Sequence, residues 1–172
     1  IIKVGSDTSE LTHFIGSIVY FKPGTSPVTS VPELLVIDGQ QRLTTVTLLL
    51  LALTHFLKDN EKVSLEDETW EEVQETYIVN KHRKDDSKYK LLLTKKDKDT
   101  LKNLIDVVKN DDSASQRVLD HYAFFKQQIT PNNVQQLYHG IKKLQIVDVI
   151  LERGKDDPQL IFESLNSTGL DL

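Results

Sequence analysis

The residues best suited to chemistry lie together between Val36 and Thr45, where the sequence reads VIDGQQRLTT. An apolar run, typical of a buried strand, gives way here to a glycine and then to a helical pattern. The first N–H groups of a helix are unpaired and the helix dipole is positive there, so such a junction favours anions. The stretch therefore predicts an anion-binding site, with phosphate as the first candidate.

Five consecutive residues could each contribute to phosphate binding: Asp38, Gly39, Gln40, Gln41 and Arg42. Gly39 has no Cβ, so the backbone can approach a phosphate. The two glutamines offer amide donors, and the Arg42 guanidinium can donate to two phosphate oxygens at once. Asp38 could position a metal-bound water or orient Arg42. One alternative stays open, because Asp38 and Gln41 also have the spacing of a capping box, which needs no ligand.

A second polar cluster follows Phe162, where the sequence reads FESLNSTG. Asn166, Ser167 and Thr168 present several hydrogen-bonding groups at the end of a predicted helix. Taken alone, this pattern is typical of an ordinary helix C-terminus at which Gly169 adopts the left-handed conformation.

Composition excludes several classes of protein. The chain has 172 residues, which is one domain's length, and its net charge of −5 argues against a general binder of the nucleic-acid backbone. The absence of cysteine excludes disulfides, thiolate zinc sites and cysteine nucleophiles. The apolar stretch from Leu43 to Leu57 is too short and too polar to span a bilayer, and no secretory signal is visible. We expect a cytoplasmic protein that does not enter a membrane.

Charge is distributed unevenly along the chain. Residues 59–75 hold eight acidic residues and one lysine, whereas residues 81–98 hold eight lysines and arginines and three acidic residues. The basic stretch could contact DNA or a neighbouring domain. A solvated face offset by the acidic stretch is the favoured interpretation, because charge runs on helices usually face solvent.

Hydrophobic patterns predict three main strands, at His13–Phe21, Leu34–Ile37 and Leu144–Leu151, with Gly16 indicating a bulge in the first. The predicted helices cover residues 40–58, 65–79, 94–109, 114–129, 130–143 and 159–165, with a short strand at 89–93. We expect the first of these helices at the centre of the core, and Val108 of the third to face inward. This order predicts an α+β fold over residues 1–172, a single domain in which a small sheet carries a largely helical insertion at about residues 59–143.

The strings IDGQQRLTT and IFESLNSTG, with HFIGSIV upstream, resemble the N-terminal domain of GmrSD-type, modification-dependent restriction systems. The resemblance runs from about His13 to Leu172. It implies a ParB/sulfiredoxin-like core and nucleotide binding or hydrolysis at the DGQQR stretch of a bacterial phage-defence protein. We expect a nucleoside triphosphate as substrate or effector and a divalent metal such as Mg²⁺ as cofactor. The resemblance also implies action on DNA through the full-length protein, with an HNH-type nuclease domain or subunit as partner.

The resemblance assigns roles residue by residue. It implies catalytic roles for Asp38, Gln40, Gln41 and Arg42, nucleotide binding by Gly39, Gln41, Arg42, Asn166 and Gly169, and a metal contact by Asp38. Family members usually begin with a Tyr-Gln-Arg-x-Tyr-x-Trp-like segment that this chain lacks, so we expect a piece truncated at its N-terminus. We expect no nuclease site in this piece. The alternative function is non-catalytic recognition of DNA or of a protein in the same system.

Overall fold

The computed structural model describes every residue except 8, 10, 11, 23–30, 67, 153–155, 158, 162 and 164–172. The described residues form helices and one three-stranded sheet, so the predicted α+β class is confirmed. The chain divides into two compact units. The sheet unit contains Thr12–Gln41 and Leu144–Leu172, and the helical unit contains Ile1–Leu11 and Arg42–Lys143.

The sheet has the strand order β2-β1-β3. Its strands are β1 (His13–Phe21), β2 (Leu35–Asp38) and β3 (Leu144–Leu151). β1 pairs antiparallel with β2 and parallel with β3. The three main strand predictions are therefore confirmed to within one residue at each end.

Gly16 interrupts the regular pairing of β1 with β3. The register shifts between Phe14 and Ser17, and Gly16 has a φ of 110°. A residue with a Cβ is strained at this φ, whereas glycine is not. The bulge predicted from Gly16 is confirmed.

β2 is less covered than its apolar sequence predicts. An unbroken apolar run is typical of a strand buried on both faces, but Leu35 is 53% exposed. β2 pairs antiparallel with β1 at one edge of the sheet, and an antiparallel strand can leave one of its faces to solvent. β3 lies at the other edge and also exposes apolar side chains, namely those of Ile146, Val147 and Ile150.

The long helix α2 supplies the centre of the hydrophobic core. The α-helices are α1 (Ile2–Ser6), α2 (Gln40–Asp59), α3 (Trp70–Tyr77), α4 (Lys95–Ile105), α5 (Gln116–Gln128) and α6 (Val134–Lys142). Every residue from Leu48 to Leu53 is buried, and Leu48, Leu51 and Leu53 are completely inaccessible. The central position predicted for this helix is confirmed.

α3 is shorter than predicted because a capping box sets its start. The Thr69 hydroxyl accepts a hydrogen bond from the Glu72 backbone N–H at 3.3 Å, and the Glu72 carboxylate accepts one from the Thr69 backbone at 2.7 Å. Two backbone N–H groups that the helix itself leaves unpaired, those of Thr69 and Glu72, thus both have acceptors. The helix begins at Trp70 rather than at Leu65.

The predicted short strand at residues 89–93 is wrong. A 3₁₀ turn at Asp85–Lys88 leads into Tyr89, which forms one isolated antiparallel bridge with Val79. No strand follows it, and residues 91–94 are irregular. An apolar run of this length does not by itself show whether a partner strand lies beside it.

α4 ends in a Schellman motif with an unusual residue in its left-handed position. The Val108 N–H donates to the Asn103 backbone oxygen at 2.8 Å, and the Val107 N–H donates to that of Leu104 at 3.3 Å. Val107 has a φ of 56°, where glycine is normal. The helix therefore ends at Ile105, and Val108, predicted to face the core, is 55% exposed.

Replacing Val107 with glycine is expected to raise the free energy of unfolding by about 1 kcal/mol. A β-branched residue in the left-handed region costs about 1–2 kcal/mol, and the added freedom of the unfolded chain cancels part of this gain. Urea denaturation measures the change. Val108→Gly, the same substitution one residue later, should destabilise; a matching loss at Val107→Gly would contradict the assignment of strain.

Candidate functional site

The Asp38–Arg42 stretch lies where β2 ends and α2 begins. Asp38 is the last residue of β2 and is half-buried. Gln40 is the first residue of α2. Gly39 joins them, is buried and has a φ of 88°. The strand, glycine turn and helix start predicted for this stretch are all present.

Gly39 packs tightly against β1. A Cβ on this residue would lie 2.9 Å from Ile18 Cγ1 and 3.0 Å from the Ser17 backbone oxygen. The fold therefore requires glycine here for two reasons, the positive φ and the close approach of β1. Neither reason involves a ligand, so the predicted role of Gly39 in phosphate binding stays a prediction.

The side chains of the first helical turn have different surroundings. The Gln40 side-chain amide donates to the Val36 backbone oxygen at 3.0 Å, which ties the helix start back to β2. The Gln41 side chain is exposed, and that of Arg42 is half-buried. The sequence did not reveal the bond from Gln40 to Val36, because a glutamine that binds its own strand and one that binds a ligand look alike.

The capping-box interpretation of Asp38 and Gln41 does not match the helix start. A capping box needs the acceptor directly before the helix and its partner three residues later. Because α2 begins at Gln40, the residue directly before it is Gly39, which has no side chain. Asp38 lies one position too early, in contrast to the residues that cap α3.

Apart from Glu163, the second motif lies outside the described residues, so the structure does not place Asn166 or Gly169. Its predicted helix does begin as expected. The Asp157 carboxylate accepts a hydrogen bond from the Gln159 backbone N–H at 2.9 Å, and residues 159–161 are helical. This is the geometry of an N-cap.

The junction offers one carboxylate, that of Asp38, as a metal ligand. Mg²⁺ is commonly held by one or two carboxylates together with the phosphates of its substrate, so a single aspartate fits this ion when a nucleotide is bound. Across the described part of the chain, no group of three or more histidine, aspartate or glutamate side chains could hold a metal ion.

His55 is built into the helical unit. Its Nδ1 lies 2.6 Å from the Tyr122 hydroxyl, and the two rings meet edge to face. Burial lowers the pKa of His55, and the positive charges of Lys126 and Lys58 lower it further. The nearby Asp59 carboxylate opposes this shift, and His55 packs as a half-buried residue of the helical unit.

At least three of the eight lysines and arginines in the basic stretch at residues 81–98 pair with carboxylates, and Lys102 and Arg117, outside it, do the same. Asp86 accepts hydrogen bonds from Lys98 at 2.5 Å and from Lys102 at 3.0 Å, and these lysines lower the pKa of Asp86. Further ion pairs join Lys81 to Glu75, Lys88 to Asp106 and Arg117 to Asp97. These pairs are compatible with the solvated face that the sequence favours, and that interpretation stays a prediction.

The comparisons with known proteins bear out the resemblance noted from the motifs. No curated protein and no solved structure matches the chain. None of the helices that the structure describes has both the length and the apolar character needed to cross a bilayer. The model of one family, the N-terminal domain of GmrSD restriction endonuclease, matches residues 3–172. This match covers almost the entire chain, which therefore belongs to the GmrSD N-terminal domain family.

Proposed function

We propose that this domain of a restriction system binds and hydrolyses a nucleoside triphosphate at the Asp38–Arg42 stretch. The observation that supports the proposal is the junction itself. A buried glycine with positive φ turns the chain from β2 directly into α2, so two side chains with phosphate-binding donors, Gln41 and Arg42, occupy the first turn of that helix. Unpaired N–H groups at a helix start add further donors.

Each residue has a chemical role in this proposal. The Arg42 guanidinium donates to two phosphate oxygens and stabilises the charge that builds up on the transferred phosphoryl group. Gln41 adds an amide donor, and Gln40 holds the helix start through its bond to Val36. Asp38 would hold Mg²⁺ or orient the attacking water. Bound Mg²⁺ supplies positive charge that neutralises the phosphates.

Nucleotide turnover would then be coupled to the action of the full-length protein on DNA. We propose that an HNH-type nuclease domain or subunit cuts the DNA and that the present domain controls it. The alternative is a domain that recognises DNA or a protein without catalysis. The tight fit of Gly39 against β1 favours that alternative, because packing explains this glycine without a ligand.

Replacing Arg42 with alanine is expected to weaken nucleotide binding about 10- to 100-fold and to slow phosphate release at least as much. The loss follows from a charge-assisted, two-pronged hydrogen bond worth about 1.5–3 kcal/mol. Calorimetric titration with ATP and GTP in the presence of Mg²⁺, together with a phosphate-release assay, measures both quantities. Arg42→Lys keeps the positive charge but loses the planar pair of N–H donors, so it should retain only part of the affinity.

Arg117→Ala is the matched control, because it removes an exposed arginine from α5 with the same change in charge. It should leave nucleotide binding unchanged. Asp38→Asn should abolish the turnover that depends on Mg²⁺. If folded Arg42→Ala and Asp38→Asn proteins keep full affinity and turnover, the proposal is wrong and the non-catalytic alternative is favoured.

A further inference from the structure

The helical unit contains a groove that the proposed nucleotide site does not use. This acidic groove is lined by residues within 57–66 and 68–72, between the end of α2 and the first turn of α3, and has a volume of about 690 Å³. Leu57 and Leu65 form a buried apolar floor, and the half-buried Trp70 lines one side. Its size falls in the range of pockets that bind small molecules or short peptide segments.

The rim of the acidic groove is strongly negative. Its charged residues are Lys58 and the five glutamates Glu61, Glu66, Glu68, Glu71 and Glu72. A concave surface lined by one sign of charge concentrates ligands of the opposite sign. Nucleotides and nucleic acids are repelled by such a rim, so the groove suits a different ligand from the one proposed for the Asp38–Arg42 stretch.

Three of the five glutamates have partners within the helical unit. Glu72 closes the capping box of α3, Glu68 pairs with Lys142 at 3.4 Å, and Glu66 lies 3.8 Å from His139. Glu61 and Glu71 are exposed and form no ion pair within 4 Å of any described residue, although the Glu71 carboxylate contributes to raising the pKa of Lys81. These two carboxylates are therefore available to a cation from outside.

Trp70 already receives a cation. The Lys58 ammonium lies 5.3 Å from the centroid of its ring, within the range of a cation–π contact. Lys58 itself is exposed at the end of α2. Because both side chains are accessible, a cationic side chain from another molecule could take the place of Lys58 without disturbing the core.

We propose that the acidic groove docks an extended, lysine- or arginine-rich segment of a partner protein. One cationic side chain of the segment lies over the Trp70 ring, and others lie beside Glu61 and Glu71. The apolar floor contacts the methylene stems of these side chains, which can lie on apolar surface while their charged ends stay in water.

A second copy of this chain fits the acidic groove less well. Four of its lysines, at positions 81, 88, 98 and 102, already pair with carboxylates of their own chain, and the chain as a whole has a net charge of −5. A partner whose cations are unpaired avoids the cost of breaking those contacts. Charge complementarity therefore favours a different protein.

Trp70 is the single tryptophan of the chain, so its fluorescence reports directly on the acidic groove. We expect a nine-residue peptide of alternating lysine and alanine to change this fluorescence saturably, with weaker binding at high salt. The double substitution Glu61→Gln/Glu71→Gln should weaken binding about fivefold to tenfold, as expected for the loss of two exposed ion pairs. The same peptide with glutamate in place of lysine should not bind.

The matched control is Asp99→Asn/Asp112→Asn, which removes two exposed carboxylates of the helical unit outside the acidic groove. It should weaken binding less than about twofold. Both double variants change the net charge equally, but only Glu61→Gln/Glu71→Gln changes the charge of the acidic groove. Equal weakening by both pairs, or no fluorescence change with the lysine peptide, would overturn the proposal. So would equally tight binding of spermine, or a dimer in sedimentation that the peptide dissociates.

Discussion

Gly39→Ala is expected to lower the free energy of unfolding by about 2–6 kcal/mol, measured by urea denaturation. Two costs add: a non-glycine residue held at positive φ costs about 1–3 kcal/mol, and overpacking costs about 1–3 kcal/mol. The new Cβ would meet Ile18 Cγ1 at 2.9 Å and the Ser17 backbone oxygen at 3.0 Å. The backbone oxygen can move only if β1 is distorted.

A double-mutant cycle with Ile18→Ala separates the two costs. Removing the Ile18 side chain opens space beside the new methyl group, so the double variant should be more stable than the sum of the single losses predicts. The strain from the φ of 88° should persist. If Gly39→Ala leaves stability unchanged and instead weakens nucleotide binding, the close approach to phosphate, and not packing, explains this glycine.

Leu51→Ala is expected to cost about 3–5 kcal/mol of unfolding free energy. Leu51 is completely buried in the middle of α2 among the leucines of the core. Truncation removes apolar contacts and leaves a cavity that the neighbouring side chains fill only in part. Helix propensity changes little, because leucine and alanine are both good helix formers. Thermal and urea unfolding followed by circular dichroism measure the loss.

Leu92→Ala is the control for this prediction. It makes the same chemical change at a residue that is 38% exposed, and should cost less than about 1 kcal/mol. Similar losses for the two variants would mean that α2 does not occupy the centre of the core.

The elements that local patterns determine were predicted well. β-branched and aromatic runs identified β1 and β3, and Gly16 identified the bulge. The apolar surface of α2 predicted its burial. In each case the deciding information lies within a few residues, because alternation, periodicity and glycine conformation are local properties.

The errors arise where a local pattern permits two outcomes. The start of α3 was in fact readable, since Thr69 and Glu72 have the spacing of a capping box. The end of α4 could not be predicted from the sequence, because valine is rarely found in the left-handed position that ends this helix. The apolar residues 89–93 suit a strand, but whether a strand forms depends on a partner that sequence alone does not identify.

At the candidate site, too, local elements were predicted and tertiary contacts were not. The sequence of the Asp38–Arg42 stretch predicted the strand, the glycine turn and the helix start that the structure contains. It could not predict that Gly39 contacts Ile18 or that Gln40 binds Val36, because both contacts depend on how the chain returns on itself. The acidic stretch was visible, but not the groove that its residues line.

The parallel pairing of β1 with β3 has a consequence for how the protein is made. His13 pairs with Leu144, about 130 residues further along the chain. At about 5–20 residues per second, a ribosome would take roughly 7–26 s to synthesise the intervening segment. β2 is synthesised early and can pair with one edge of β1, but the other edge stays unpaired until β3 has been synthesised. During that interval the nascent chain presents an unpaired strand edge, which is a site for binding by chaperones or for misassociation between growing chains.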